Sequence, residues 1–215
     1  MQQRALPAAL LASVLLALLI SGLHPYDRPT WLMETLPVMI AAPILIASRQ
    51  RFPLTRLLYV LIAIHALILI AGGTYTYARV PLGFWLQEML SFERNPYDRI
   101  GHFFQGLVPA LVAREILLRL GYVRSRAMAG FLALCVAMTV SVCYELIEWA
   151  AALALGQGAG DFLGTQGDVW DTQWDMFMAL TGALTGIFLL AGLHDKQMEK
   201  MKRPAKQPSV ELLSR

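Results

Sequence analysis

The strongest constraint in this chain is how its apolar residues are gathered: long apolar runs, divided by short blocks of charge. Crossing the hydrocarbon core of a bilayer takes about 20 mostly apolar residues as a helix, whose internal hydrogen bonds satisfy the backbone where no water can. Five stretches meet that requirement: Ala5 to Leu23, Trp31 to Ser48, Leu57 to Tyr77, Ala127 to Leu155 and Met176 to Leu193. A sixth, Ile100 to Leu120, is interrupted by His102, Pro109, Arg114 and Glu115. Composition agrees with the membrane class. The chain is 57% hydrophobic and only 15% charged, against about 25% charged for soluble domains.

Charge asymmetry decides in favour of the sixth span. With six spans and the amino terminus in the cytoplasm, the inner segments hold Arg4, Arg49, Arg51, Arg56, Arg114, Arg119, Arg124 and Arg126, and the tail adds six more basic residues. The outer segments hold only Arg28, Arg79, Arg94 and Arg99. Removing the Ile100 to Leu120 span would put the basic tail outside, against the bias of Lys and Arg toward the cytoplasm. The expected fold is therefore an all-α membrane protein of six transmembrane helices with both termini cytoplasmic, in a bacterial cytoplasmic membrane. Residues 1–195 form the transmembrane domain, and 196–215 a basic, polar tail attracted to anionic lipid. The first run follows only Met1-Gln2-Gln3-Arg4 and has no small-residue cleavage site after it, so it is expected to remain as an uncleaved span.

The same distribution excludes other classes. The net charge of +3 comes from topological blocks rather than from a basic face, so no nucleic-acid partner is implied. Cys135 and Cys143, eight residues apart in one apolar run, are too distant within a helix for a disulfide and form no CxxC motif. They are expected to be small buried thiols. No phosphate loop, nucleophile elbow or HExxH motif occurs. The loop from Thr74 to Tyr97 carries Tyr75, Tyr77, Phe84, Trp85 and Phe92 and predicts a helix lying at the outer interface. Gly182 and Gly186 make a G-x-x-x-G stripe suited to close helix packing within the chain, and the oligomeric state is left open.

Ionisable side chains inside membrane spans are costly and point to function by default. Three spans supply them. Asp98, His102, Gln105 and Pro109 recur at helical spacing on one face, as do Ser141, Glu145 and Glu148, while Asp171 and Asp175 lie four apart where the last span begins. The six-span topology brings all three faces to the outer leaflet. One histidine among carboxylates suits a divalent metal, a proton relay or an acid/base pair. It also suits a structural role, with Glu145 or Glu148 pairing to Arg99 or to a charged His102. His65 is expected to be a satisfied hydrogen bonder between helices, and Glu34 to approach the same outer vestibule. Pro25-Tyr26-Asp27-Arg28 is echoed by Pro96-Tyr97-Asp98-Arg99, each before an inward span, and helix capping by both aspartates is the simplest account.

RFPLT at 51–55, HALIL at 65–69, TYARVPLGFW at 76–85, NPYDRIGHF at 95–103, YELIEW at 144–149 and GTQGDVWDTQWDM at 164–176 resemble the YjdF family of bacterial inner-membrane proteins. The resemblance runs from residue 24 to 193 and implies a polytopic inner-membrane protein whose activity is unassigned. A more distant similarity is to VanZ-like envelope proteins. It matches Asp98-x-x-x-His102, Glu145, and Asp175 with Gly182 and Gly186, and departs from their pattern at Ala179 and Glu148. Three functions are compatible with the residues. One is a His/carboxylate site acting on a membrane lipid or envelope-linked group, the second a small proton-coupled transporter, the third a non-catalytic scaffold. The inner halves of the last two spans are almost wholly apolar, which favours the first over the second.

Overall fold

A computed structural model describes residues 2–155 and 166–202, without the side chains of residues 2–4, 155 and 202. The basic tail residues Arg203, Lys206 and Arg215, and the start of the 164–176 string, lie outside the described residues. Helices α1 (Gln2–Ser21), α2 (Arg28–Ser48), α3 (Arg56–Tyr75), α4 (Pro81–Leu90), α5 (Tyr97–Arg119) and α6 (Arg126–Leu155) come in succession. A 3-10 turn, Tyr77–Arg79, precedes α4. Helix α7 (Asp171–Thr185) then passes through a π turn at Gly186–Leu190 into α8 (Ala191–Lys202). No strand occurs among the described residues.

Local chemistry sets several of these boundaries. Asp27 caps α2, accepting from Thr30 N at 2.9 Å and from Thr30 Oγ1 at 2.7 Å. Thr55 caps α3. Pro81 opens α4, where its missing N–H costs nothing. Helix α5 stops just before Gly121, whose φ of +75° suits a residue without a Cβ.

Among the described residues, four helices are long and apolar enough to cross a membrane: Arg28–Ser48, Arg56–Tyr75, Arg126–Ala154 and Asp171–Met201. Helix α1 carries the apolar stretch Ala5–Ser21, and α5 is too polar to qualify. The reason in α5 is its position. It lies at the centre, packed on α3, α6 and α7, and buries residues on most of its circumference. A helix screened from lipid by its neighbours can carry polar groups that an outer helix cannot.

Small residues let the centre close. Helix α6 turns Ala129, Ala133, Ala137 and Ser141 inward, each fully buried and each four residues after the last. Its opposite face exposes Phe131, Val136, Val140, Leu146, Ile147 and Trp149. Helices α5 and α7 touch backbone to backbone. A Cβ on Gly182 would stand 1.9 Å from the carbonyl oxygen of Phe103, and one on Gly106 would stand 1.8 Å from that of Ala179. Gly186 packs on Leu107 and Leu111. The G-x-x-x-G stripe is thus used inside the chain.

Three expectations change here. Cys135 and Cys143 are exposed on α6 rather than buried, because the inward stripe of that helix is taken by alanine and serine. Tyr77 is buried, not at the interface, its ring wedged over Gly72 and Gly101. The helix that holds the Met176 to Leu193 run does not end with it. It runs to Lys202, with Met198 buried and Gln197 Oε1 accepting from Leu57 N at 3.0 Å. By contrast α4 exposes Leu82, Phe84, Trp85, Met89 and Leu90, as an interfacial helix does.

Candidate functional site

The amino-terminal turns of α5 and α7 and the carboxy-terminal half of α6 meet at one end of the bundle, around the ring of His102. Asp98 Oδ1 lies 3.5 Å and Asp175 Oδ1 4.0 Å from His102 Nε2. On the other side of the ring, Gln105 Oε1 lies 3.1 Å and Glu145 Oε1 3.6 Å from Nδ1. All five side chains are buried. Burial of so much carboxylate is costly unless hydrogen bonds or cations compensate it. Here compensation is partial: Asp98 Oδ2, Glu145 Oε1 and Asp175 Oδ1 have no hydrogen-bond partner among the described residues.

Beside this cluster is a narrow cavity lined by Glu34, Leu69, Tyr77, Asp98, Gly101, His102, Gln105, Tyr144 and Glu148. Its free volume of about 10 Å³ suits roughly one water or one bare ion. Glu34 reaches it from α2, accepting from Tyr144 Oη at 2.9 Å. The expected approach of Glu34 to the cluster is therefore seen, and Tyr77 and Tyr144 are additions. Tyr144 carried a signal, since it stands four residues before Glu148 on one helical face. Tyr77 carried none, because its place depends on a loop folding back over two glycines.

The expected residues separate into three positions. Asp98, His102, Gln105, Glu145 and Asp175 surround the imidazole, and Glu148 lines the adjoining cavity. Asp171 belongs instead to a rim of ion pairs, bound to Arg94. Asp168 completes this rim, 3.1 Å from Arg99 and 3.7 Å from Arg94. Arg99 also lies over the ring of Trp174, so it does not neutralise Glu145 or Glu148. Asn95, in the loop before α5, joins the turn before α4 to Gln166. Its Nδ2 donates to the carbonyls of Ala78 and Val80, while its backbone exchanges two hydrogen bonds with the Gln166 side chain.

The two Pro-Tyr-Asp-Arg segments differ by position in the helix. Asp27 is an N-cap, but Asp98 lies inside the first turn of α5, whose cap position is Pro96, and faces His102. His65 also differs from expectation. Its Nε2 has no hydrogen-bond partner among the described residues, and its ring packs against Phe104 with centroids 6.4 Å apart.

A second polar cluster occupies the opposite end. Glu115, fully buried, accepts from Thr55 N at 3.1 Å, Thr55 Oγ1 at 2.8 Å and Arg119 at 2.5 Å, and lies 2.8 Å from His194 Nε2. Arg114 binds Asp195 at 2.7 Å. Sequence reasoning misses this network because His194 and Asp195 come just after the last apolar run, which ends at Leu193. The π turn just before them shifts helix α8 by about one residue, or about 100° around the axis. With that shift, His194 points into the bundle.

The apolar exterior, the central polar helix and the buried His/carboxylate cluster define a helical integral membrane protein. The chain belongs to the family described as "Predicted membrane protein (DUF2238)", whose family model matches residues 6–196. It is 61% identical over 185 residues to "Inner membrane protein YjdF" of Escherichia coli (strain K12), with 86% of this chain and 88% of that protein covered. The resemblance to the YjdF family is thereby borne out, and neither match is to a VanZ-like protein. No solved structure matches the chain. Its place is the bacterial inner membrane, which its apolar helices cross more than once.

Proposed function

We propose that the chain spans the inner membrane six times with both termini in the cytoplasm, and that the cluster around His102 is an outer-leaflet site acting on a lipid or envelope-linked group. The observation that carries the site is the incomplete pairing of its buried carboxylates. Asp98 and Asp175 sit against His102 with oxygens that no donor among the described residues satisfies, whereas Glu115 at the other end accepts from Thr55 and Arg119 and meets His194. Buried groups left open in this way suit a site that takes a ligand or a proton.

Six spans are supported by which loops meet. Tyr26 with Thr74, Asn95 with Gln166 and Arg94 with Asp171 join connections at one end. Thr55 with Glu115, Leu57 with Gln197 and Arg126 with Glu199 join them at the other. The second end holds the arginine-rich segments, which favours its being cytoplasmic. Residues 1–195 then make the membrane domain, and the basic residues that follow are on the cytoplasmic side, attracted to anionic lipid.

A proton-coupled carrier is the weaker reading. It needs polar groups leading from one face to the other. Between Gln105 and Arg114, about 13 Å along the axis, α5 buries Leu107, Val108, Ala110 and Leu111. In the site reading, the cluster acts on a group that approaches from the outer leaflet, with Glu145 exchanging protons with it. The test compares membrane lipid and lipid-linked precursor profiles of a deletion strain carrying wild type, His102→Ala or Glu145→Gln at equal expression. The wild type should restore the profile and both variants should fail. Full restoration by both would leave a scaffold as the remaining account.

A further inference from the structure

We propose that Asp98, His102 and Asp175 bind one divalent first-row cation of the Zn²⁺ or Mn²⁺ type, through His102 Nε2 and one oxygen of each carboxylate. The inference deepens the reading of this cluster as a ligand-taking site and rests on it.

Distance is the first argument. One ligand atom from each of the three residues lies within 4.8 Å of the other two, and all three residues are buried. The separations from His102 Nε2, 3.5 Å to Asp98 and 4.0 Å to Asp175, are long for N–H···O hydrogen bonds of about 2.7–3.2 Å. The first falls within the spacing of neighbouring ligands around one cation, about 3.0–3.6 Å for bonds of about 2.0–2.2 Å, and the second would have to shorten by a few tenths of an ångström on binding.

A second, independent observation points into the site. Asp98 is 5% exposed and Asp175 2%, yet Asp98 Oδ2 and Asp175 Oδ1 lack any hydrogen-bond partner among the described residues. Two buried carboxylates supply hard oxygen donors, and when ionised the charge that a dication neutralises.

The orientation of the ring supplies the third argument. Gln105 Oε1 lies 3.1 Å from His102 Nδ1, placed to accept from it, and Nε2 is the nitrogen that faces the two aspartates. A ligating histidine is oriented in this way by an acceptor on its other nitrogen. Imidazole beside carboxylate favours a first-row metal over Mg²⁺ or Ca²⁺, which prefer all-oxygen shells. Three protein ligands leave a coordination position on the cavity side, as in metal sites that act on a substrate.

The test uses the full-length chain purified in detergent, stripped with chelator and titrated separately with Zn²⁺ and Mn²⁺. One ion should bind per chain, and Asp98→Asn, His102→Ala and Asp175→Asn should each lower affinity about 100-fold or more, with Asp27→Asn unchanged. Gln105→Leu should cost about 10- to 100-fold, as loss of an orienting partner does. X-ray absorption of the wild type should show one imidazole nitrogen in the metal shell, a measurement that needs no variant to fold. Absence of stoichiometric binding, a shell without imidazole, or equal affinity in folded variants would overturn the proposal. The two readings fail separately. If His102→Ala fails to restore the lipid profile while the wild type binds no metal, the cation falls and the acid/base site stands. If metal binds as expected and every variant restores the profile, the cation stands and the activity falls.

Discussion

Asp27 and Asp98 occupy the same tetrapeptide, and their surroundings assign them different work. Asp27 spends its carboxylate on the free N–H groups of α2, so Asp27→Ala should cost about 1 kcal/mol and leave the site intact, as read by thermal unfolding in detergent and by lipid profile. Asp98 is held against His102 without full compensation. The same contrast separates Glu115 from Asp175. Glu115 takes hydrogen bonds from Thr55 and Arg119 and meets His194. Its replacement by alanine leaves Arg119 without its carboxylate and the buried Thr55 N–H without an acceptor, and should destabilise by about 3–5 kcal/mol. Asp175→Asn removes a buried charge whose Oδ1 has no donor, so the cation-free protein should melt at the wild-type temperature or above it. A large drop in melting temperature for Asp175→Asn would mean that the carboxylate is structural.

At the scale of the helix, backbone contact between α5 and α7 is what gathers the site. Both glycines that permit it face a carbonyl rather than a movable side chain, so the strain of an added group cannot be relieved by a rotamer change. Gly182→Leu should therefore prevent the approach and sharply lower the yield of folded protein in size-exclusion chromatography. Gly192→Leu, at a position where an added Cβ meets nothing within 4 Å, should have little effect on that yield. Helix α6 makes the complementary case. Its inward face is a small-residue stripe, while Cys135 and Cys143 lie outside it. Replacing both cysteines by alanine should change stability by no more than about 0.5 kcal/mol, giving a thiol-free background for labelling. Wild-type-like folding of Gly182→Leu, or collapse of the cysteine-free chain, would show that this helix packing is assigned incorrectly.

For the whole molecule, the decisive quantity is the distribution of charge between the two ends. Reporter fusions after Gly121 and after Lys206 should both report cytoplasm, and an external signal at either would contradict six spans. Much of this architecture is legible in the residues. Apolar run length marks the helices that cross the membrane, and the spacing of Asp98, His102, Glu145 and Asp175 marks the faces that meet. Hydropathy undervalues α5 because it averages a helix over all its faces, whereas the structure shields that helix on nearly every side. Spacing groups Asp171 with the cluster, but its carboxylate belongs to Arg94, a pairing made by a loop distant in sequence. Tyr77 and His194 escape sequence reasoning for similar causes: a loop folding over Gly72 and Gly101, and a π turn before the last helix. The sequence alone determined that this chain enters a membrane and which helical faces are polar, because partition of a helix depends on its own composition and periodicity. Only the tertiary structure decided which carboxylates share His102 and which are already paired. Those contacts depend on the rotation and depth of each helix, and these are set by backbone contacts at Gly106 and Gly182 between segments some 76 residues apart.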